Sequence, residues 1–507
     1  MNCVYYSNKA LLKSGIFCFI EYMQTKRLKF RQTTIITIGL LAFLGGLGLA
    51  RTGYSMSVGV VLVLAIFSLA VFRKKSIITV ACIVLFGLTF GWWRGGNYLH
   101  LLAPYKQLDK QKVVLRVTAM SDGVYNKTQL SFDGGGIEVR EPFKQKIPGR
   151  VIIKGYGESA IYRGDIIQAE GRLYLTRGSK QAGISFADIK ALGREDSTIE
   201  TVRLRFLAGM QNALPEPLAS FGLGLLIGQR TTLPDTVTRD LAIVGLTHII
   251  AVSGYNLTII VRGVRRQLGK QSKYQSLVLS FALIGLFLLV TGFSASIVRA
   301  AIVSVLSLLA WYYGRTFRPI LLLAIVAVLT AGWYPLYLWS DIGWYLSFLA
   351  FYGVLVLAPM IVKRLYGSRE PSNLRLIIFE SVCAQLMTAP FILFIFKQVS
   401  IVGLIGNVLV VPFVPLAMLL SLMAGLAGML IPVLAGWVAW PARILLTYML
   451  DLVNIMARWS HALLVRTLSL QSMLFLYGLI IFVSFVLWRK TLKTVRVTDV
   501  EIEEKVL

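Results

Sequence analysis

Acidic residues and histidines are scarce in this chain. Its 507 residues include 24 Asp or Glu against 52 Lys or Arg, a net charge of +28, and only three His. His100, His248 and His461 are too few and too scattered for a zinc cluster, and Cys3, Cys18, Cys82 and Cys383 form neither a disulfide framework nor a ligand spacing. No metal or redox role follows, and no cofactor is expected. Walker A, Gly-x-Gly-x-x-Gly and kinase motifs are all missing, so any driving force must come from outside the chain. Charge of either sign is sparse: 15% of residues against 56% apolar, which excludes an ordinary soluble protein. A polytopic α-helical membrane protein remains. Its excess positive charge belongs in loops, tails and any soluble part, where it orients helices, binds anionic lipid or attracts a polyanion such as nucleic acid.

Lys9, Lys13, Lys26, Arg27, Lys29 and Arg31 precede the first apolar run, and no small-residue cleavage site follows it, which points to an uncleaved anchor. Residues 1–33 therefore read as a basic cytoplasmic N-terminus and 34–94 as three anchor helices, over about 34–50, 56–72 and 76–93. Arg73-Lys74-Lys75 favours the cytoplasm, so the third helix delivers the chain outside. Residues 100–198 change texture to mixed charge and short β-rich runs, at Lys112 to Ala119, Thr128 to Phe132, Arg150 to Gly155 and Asp165 to Tyr174, separated by turn residues. They predict an inserted extracytoplasmic small β-barrel. Aromatics there are sparse and acids nearly balance bases, so nucleic-acid binding and a spacer role stay equally open.

A linker helix over Ile199 to Leu214 should stop at Pro215-Glu216-Pro217, because proline lacks the N–H and restricts its predecessor. Residues 199–488 form the membrane core, with apolar runs near 218–227, 241–261, 275–293, 295–313, 319–337, 342–361, 376–396, 399–432, 434–457 and 471–488. A cytoplasmic tail, 489–507, is expected after them. Asn407 and Pro412, with Gly403 and Gly406, point to a broken helix, tolerated where protein or a water-filled cavity satisfies the freed backbone.

Polar residues inside the apolar runs carry the functional signal. In the run Gly245 to Leu257, Ser253 and Asn256 share one helix face with His248 toward its edge, while Gly245 and Gly254 allow close approach. A pore-lining stripe and interhelical hydrogen bonding both fit those residue types. Arg299 lies within an apolar helix, as a functional charge or one snorkelling from a helix end, and Asp341 is its expected ionic partner.

Written as Gly-x-x-His-Ile-Ile-Ala-Val-Ser-Gly-x-Asn, residues 245–256 resemble the signature of the ComEC family, membrane channels that admit single-stranded DNA. Further matches follow in the family's order: Gly224 to Arg230, Ser296 to Ala300 around Arg299, Asp341 to Phe348 with Ser347, and Gly406-Asn407-Val408-Leu409 before Pro412. Gly149 to Ile153 and Tyr162 to Leu173 are similar to the family's OB-like domain. The family often carries a second His where this chain has Tyr255-Asn256. The resemblance implies a channel for uptake of single-stranded DNA in natural transformation, not an enzyme, in the cell membrane. Its path candidates are His248, Ser253, Gly254, Asn256, Arg299, Asp341, Ser347 and Asn407. It also implies an external DNA receptor and a cytoplasmic ATP-driven motor. A lactamase-like zinc domain, found in long family members, is not expected here, so strand degradation would need a separate nuclease. Two rival functions stay open. One is a carrier for a small anionic solute with Arg299 as ligand; the other is an intramembrane serine hydrolase, since Ala251-Val252-Ser253-Gly254 is similar to a rhomboid-type Gly-x-Ser-Gly with His461 as base.

The charge pattern makes a direct prediction. Protease added to intact spheroplasts should cut within residues 100–198, and cleavage confined to inverted vesicles would reverse the topology.

Overall fold

Long uncharged runs of Leu, Ile, Val, Ala and Gly can satisfy their backbone in hydrocarbon only as helices, and helices are what they form. In the computed structural model seven helices among the described residues are long and apolar enough to cross a membrane, which makes the chain a polytopic helical membrane protein. The structure describes residues 31–54, 56–71, 77–126, 129–158, 161–176, 180–194, 198–229, 232–250, 272–291, 295–314, 318–367, 371–459 and 461–506. They divide into two units: residues up to His100 with Ala327–Pro335, and Leu101–Val326 with Leu336–Leu507.

The first unit holds α1 (Gln32–Ala50), α2 (Val58–Val71) and α3 (Ile77–Leu101). Glycines let α1 and α3 touch backbone to backbone: a Cβ on Gly46 would lie 2.0 Å from the Leu88 carbonyl oxygen, and one on Gly91 would lie 2.1 Å from that of Phe43. On α2, Ser68 Oγ donates to the Cys82 carbonyl on α3 at 3.1 Å. The third helix runs past the expected end near residue 93, because Gly95 and Gly96 are packed and buried instead of forming a turn.

The second unit begins with α4 (Ala103–Gln107) and a sheet domain of β1 (Lys112–Ala119), β2 (Val124–Asn126), β3 (Gln129–Glu141), β4 (Gln145–Lys146), β5 (Val151–Tyr156), β6 (Asp165–Leu175) and β7 (Ala182–Arg194). Pairing runs β1-β6-β7-β5-β3 and returns to β1, antiparallel except for β5 with β7. Alternate residues such as Val113, Leu115 and Val117 fill one core with Ile153, Ile167 and Ile184. The sequence reading misses β7. Its alternation is broken where Ser185 and Phe186 oppose the single residue Lys154, a bulge with Phe186 at φ +57°.

The rest of the unit is helical: α5 (Thr198–Ala213), α6 (Leu218–Ile227), α7 (Asp235–Val244), α8 (Thr247–Ile250), α9 (Lys273–Thr291), α10 (Ala295–Tyr312), α11 (Pro319–Trp333, whose last residues belong to the first unit), α12 (Leu336–Ser340), α13 (Ile342–Tyr352), a π turn at Gly353–Leu357, α14 (Ala358–Tyr366), α15 (Asn373–Phe396), β8 (Gln398–Ser400), α16 (Gly403–Val410), α17 (Val414–Leu430), α18 (Ala435–Ala457), β9 (Leu463–Val465) and α19 (Leu470–Val506). The interruption expected near Pro412 is a 3-10 turn, Val411–Phe413, between α16 and α17. Helix α19 continues through the residues expected as a separate tail.

One expected helix, 241–261, is not continuous. Gly245 adopts φ +78° and ends α7: its N–H donates to the Ala242 carbonyl at 3.1 Å and that of Leu246 to Leu241 at 2.8 Å, a Schellman turn. Residues 251–271 lie outside the described residues.

Helix α5 ties the sheet domain to the core. A Cβ on Gly428 of α17 would lie 1.9 Å from the Gly209 carbonyl oxygen of α5, so the two backbones cross in contact. Gly428→Val should therefore lower the thermal stability of the purified protein by about 1–3 kcal/mol or more. Gly436→Ala, where nothing lies within 4 Å of the new Cβ, should be neutral or slightly stabilising.

Candidate functional site

Arg299 is drawn into the core by its helix. It projects from α10 between Ile297, Ala300 and Ala301, all buried, and is itself only 2% exposed. Its Nη2 donates to the Gly343 carbonyl of α13 at 3.2 Å, while Nε and Nη1 are buried without a hydrogen-bond partner. A buried donor left unpaired costs about 1–3 kcal/mol, and more when charged, so this side chain is dear as a purely structural group.

The expected ion pair with Asp341 does not form. Asp341 is the N-cap of α13, and its Oδ1 accepts the Trp344 N–H at 2.9 Å. A carboxylate committed to the free N–H groups of its own helix start satisfies one orphan donor and offsets the positive end of the dipole. The guanidinium instead reaches the carbonyl two residues further on. Ser347 follows Gly343 by one turn and is half-buried. Arg299 and Asp341 thus both meet the first turn of α13, and Ser347 lies one turn further along that helix.

A second cluster joins two distant motifs. Beyond the Gly245 turn, Leu246, Ile249 and Ile250 are buried, while the His248 ring is exposed and its Nδ1 donates to the Gly245 carbonyl at 3.1 Å. Against that turn packs the β8–α16 segment: a Cβ on Gly245 would lie 3.0 Å from Ser400 Cβ, and one on Gly406 would lie 2.9 Å from Val244 Cγ1. Asn407 Oδ1 and Ser400 Oγ are buried here without partners. Ser253, Gly254 and Asn256 lie outside the described residues. Beside β8 a cleft of about 450 Å³ is lined by Ile401, Val402, Ile405, Trp459 and His461.

Sequence reasoning missed a buried ionic cluster. Arg203 of α5 bonds both Asp122, in the sheet domain, and Glu200 Oε2 at 3.2 Å; Arg163 Nε holds Glu200 Oε1 at 3.1 Å. Burial alone would lower the Arg203 pKa, but the hydrogen bond and charge of Asp122, with Glu200, outweigh it and hold the guanidinium above its ordinary range. The Glu200-x-x-Arg203 spacing was the available signal, but Asp122 comes from a distant turn that no periodicity marks. Among the described residues no group of three or more His, Cys, Asp or Glu could hold a metal ion.

Residues 225–490, a segment that holds both clusters, match the family described as competence protein. ComE operon protein 3 of Bacillus subtilis (strain 168) is 28% identical over 219 residues, which cover 42% of this chain and 27% of that protein. No solved structure matches the chain.

The geometry at α13 separates capping from ion pairing. Asp341→Ala should lower thermal stability by about 1 kcal/mol, and Asp341→Asn, which keeps the cap acceptor, should lose less. Equal losses in a melting experiment would mean that the charge, not the cap, is what matters.

Proposed function

The chain belongs to the competence-protein family, and from that premise we propose that it is a channel of the cell membrane that passes single-stranded DNA into the cytoplasm. The observation that carries this reading is Arg299, a buried guanidinium with two donor nitrogens unspent, inside the family-matched region. A strand carries one negative charge per nucleotide, and a phosphodiester oxygen is the acceptor that such donors lack. Asn407 and Ser400 would add uncharged polar contacts beside the broken helices, the usual setting of intramembrane ligand paths. His248, Ser253, Gly254, Asn256, Asp341 and Ser347 complete the proposed lining.

Translocation on this reading breaks no bond, so the chain needs no catalytic group. The sheet domain is proposed as an extracytoplasmic OB-like barrel; its ring of β1, β6, β7, β5 and β3, parallel only between β5 and β7, supports that assignment. It would take the strand from a separate receptor. An ATP-driven motor in the cytoplasm would supply direction, and a separate nuclease would remove the other strand.

Replacing a buried charge by an apolar side chain of similar volume is often neutral or stabilising. Arg299→Leu should therefore leave abundance and melting temperature near or above wild type while cutting transformation, in a competent host lacking its own family member, by at least about 100-fold, roughly 2.7 kcal/mol. Arg299→Lys should retain part. A variant that loses folded protein and uptake in proportion would make Arg299 a structural residue and remove the main support for the channel.

A further inference from the structure

The outer face of the sheet domain presents an aromatic pair that its own core does not use. Phe186 is 73% exposed and Tyr156 is 46% exposed, with ring centroids 6.4 Å apart and planes inclined by 37°. Phe186 holds φ +57°, a left-handed conformation that an aromatic residue adopts only against steric resistance. Strain of this kind persists where the surroundings impose it, and here the bulge turns the ring outward, away from the buried Ile184 and Ala187 on either side. Tyr156 is aimed as well, since its hydroxyl accepts from Gln129 Nε2 at 3.1 Å.

The polar surroundings select the occupant. Ile152, Lys154 and Tyr156 alternate outward on β5, and Lys154 stands opposite Ser131 on one side and the Ser185–Phe186 bulge on the other. Of the carboxylates near this face, Asp133 is held by Lys180, while Asp188, in register with Tyr156, is exposed and lies 3.5 Å from the exposed Lys190. Among the described residues no carboxylate is bonded to Lys154, so the face offers a cation and two ring surfaces together. An anionic polymer with planar side groups meets all three features at once. Hydrocarbon would use the rings but leave the Lys154 ammonium without a polar partner.

We propose that Tyr156 and Phe186 form a stacking step for bases of single-stranded DNA, with Lys154 on the adjoining phosphate. Single strands bind OB-type sheets in this way, through stacking that tolerates any base. The proposal rests on the channel reading and names where the strand is first held.

The test uses the whole protein in lipid nanodiscs and fluorescein-labelled oligo(dT), with an abasic strand of the same length as control. Phe186→Gly removes the ring and relieves the positive φ, so the variant should melt no lower than wild type. Its affinity for oligo(dT) should fall about tenfold while its affinity for the abasic strand stays unchanged; Tyr156→Leu should act likewise. Unchanged oligo(dT) binding by Phe186→Gly, or equal binding of oligo(dT) and abasic strand by wild type, would overturn the stacking step. So would quenching of the added emission of Phe186→Trp by brominated lipid in place of oligo(dT), which would make the ring a membrane contact. Those outcomes leave the channel reading standing if transformation still depends on Arg299, whereas normal transformation by Arg299→Leu would remove that reading whatever oligo(dT) does.

Discussion

The crossing of α5 with α17 fixes the arrangement on which the rest of the second unit depends. Gly209 and Gly428 meet backbone to backbone, with no side chain between them to give way. Within three turns of Gly209, the same helix carries Glu200 and Arg203, which hold the sheet domain through Asp122 and Arg163. A buried ionic cluster contributes little net stability over an apolar one, but breaking it by removing one partner strands a charge. Its value here is positional. With one end set by glycine contact and the other by a three-way ionic geometry, α5 links the strands of the sheet domain to the helices that follow.

Polar groups in the core follow a different logic. Most find a partner in their own helix, as Ser280 Oγ does in the Ser276 carbonyl at 2.7 Å and Thr388 Oγ1 in that of Ala384 at 2.9 Å. Those bonds make a hydroxyl cheap in an apolar setting and say nothing about function. Arg299, Asn407 and Ser400, together with Ser421 and Thr33, stand apart because buried polar atoms on them have no partner, and of these only Arg299 carries a charge. The contrast, within one core and between similar depths of burial, separates residues that serve packing from residues that await something else.

Much of the architecture was legible in the sequence because periodicity reports it directly. The run Lys112–Ala119 alternates and is a strand with those ends, and Pro215 stops α5 where proline must. What stayed hidden depends on one residue behaving against its type or on a partner far along the chain. Phe186 in the left-handed region breaks the pattern of β7, so two exposed residues in succession disguise a strand. The third anchor helix runs on through Gly95 and Gly96 to Leu101, beyond the apolar run that marked its end near residue 93. Asp341 reads as the counter-ion of Arg299 because charges in apolar runs invite pairing, yet its place at a helix start assigns it to the backbone. For Arg299 and Asp341, then, a polar residue in an apolar run was legible and its hydrogen-bond partner was not.

Gly245 shows how one conformation can organise a motif. A continuous helix through residues 241–261 would have set His248 on a regular face and left no reason for the glycine. With φ at +78°, the chain instead closes α7, buries Leu246 under the turn and restarts at Thr247, so that the His248 ring folds back on the Gly245 carbonyl. The missing Cβ is used twice, once for the left-handed backbone and once for the approach of Ser400 and Gly403. Breaking a helix in an apolar core leaves backbone groups that only protein or water can satisfy, and here the Schellman bonds of Gly245 and Leu246 satisfy two of them. That constraint, more than the identity of any single polar side chain, explains why a glycine opens this motif and why further glycines, Gly403 and Gly406, line the segment packed against it.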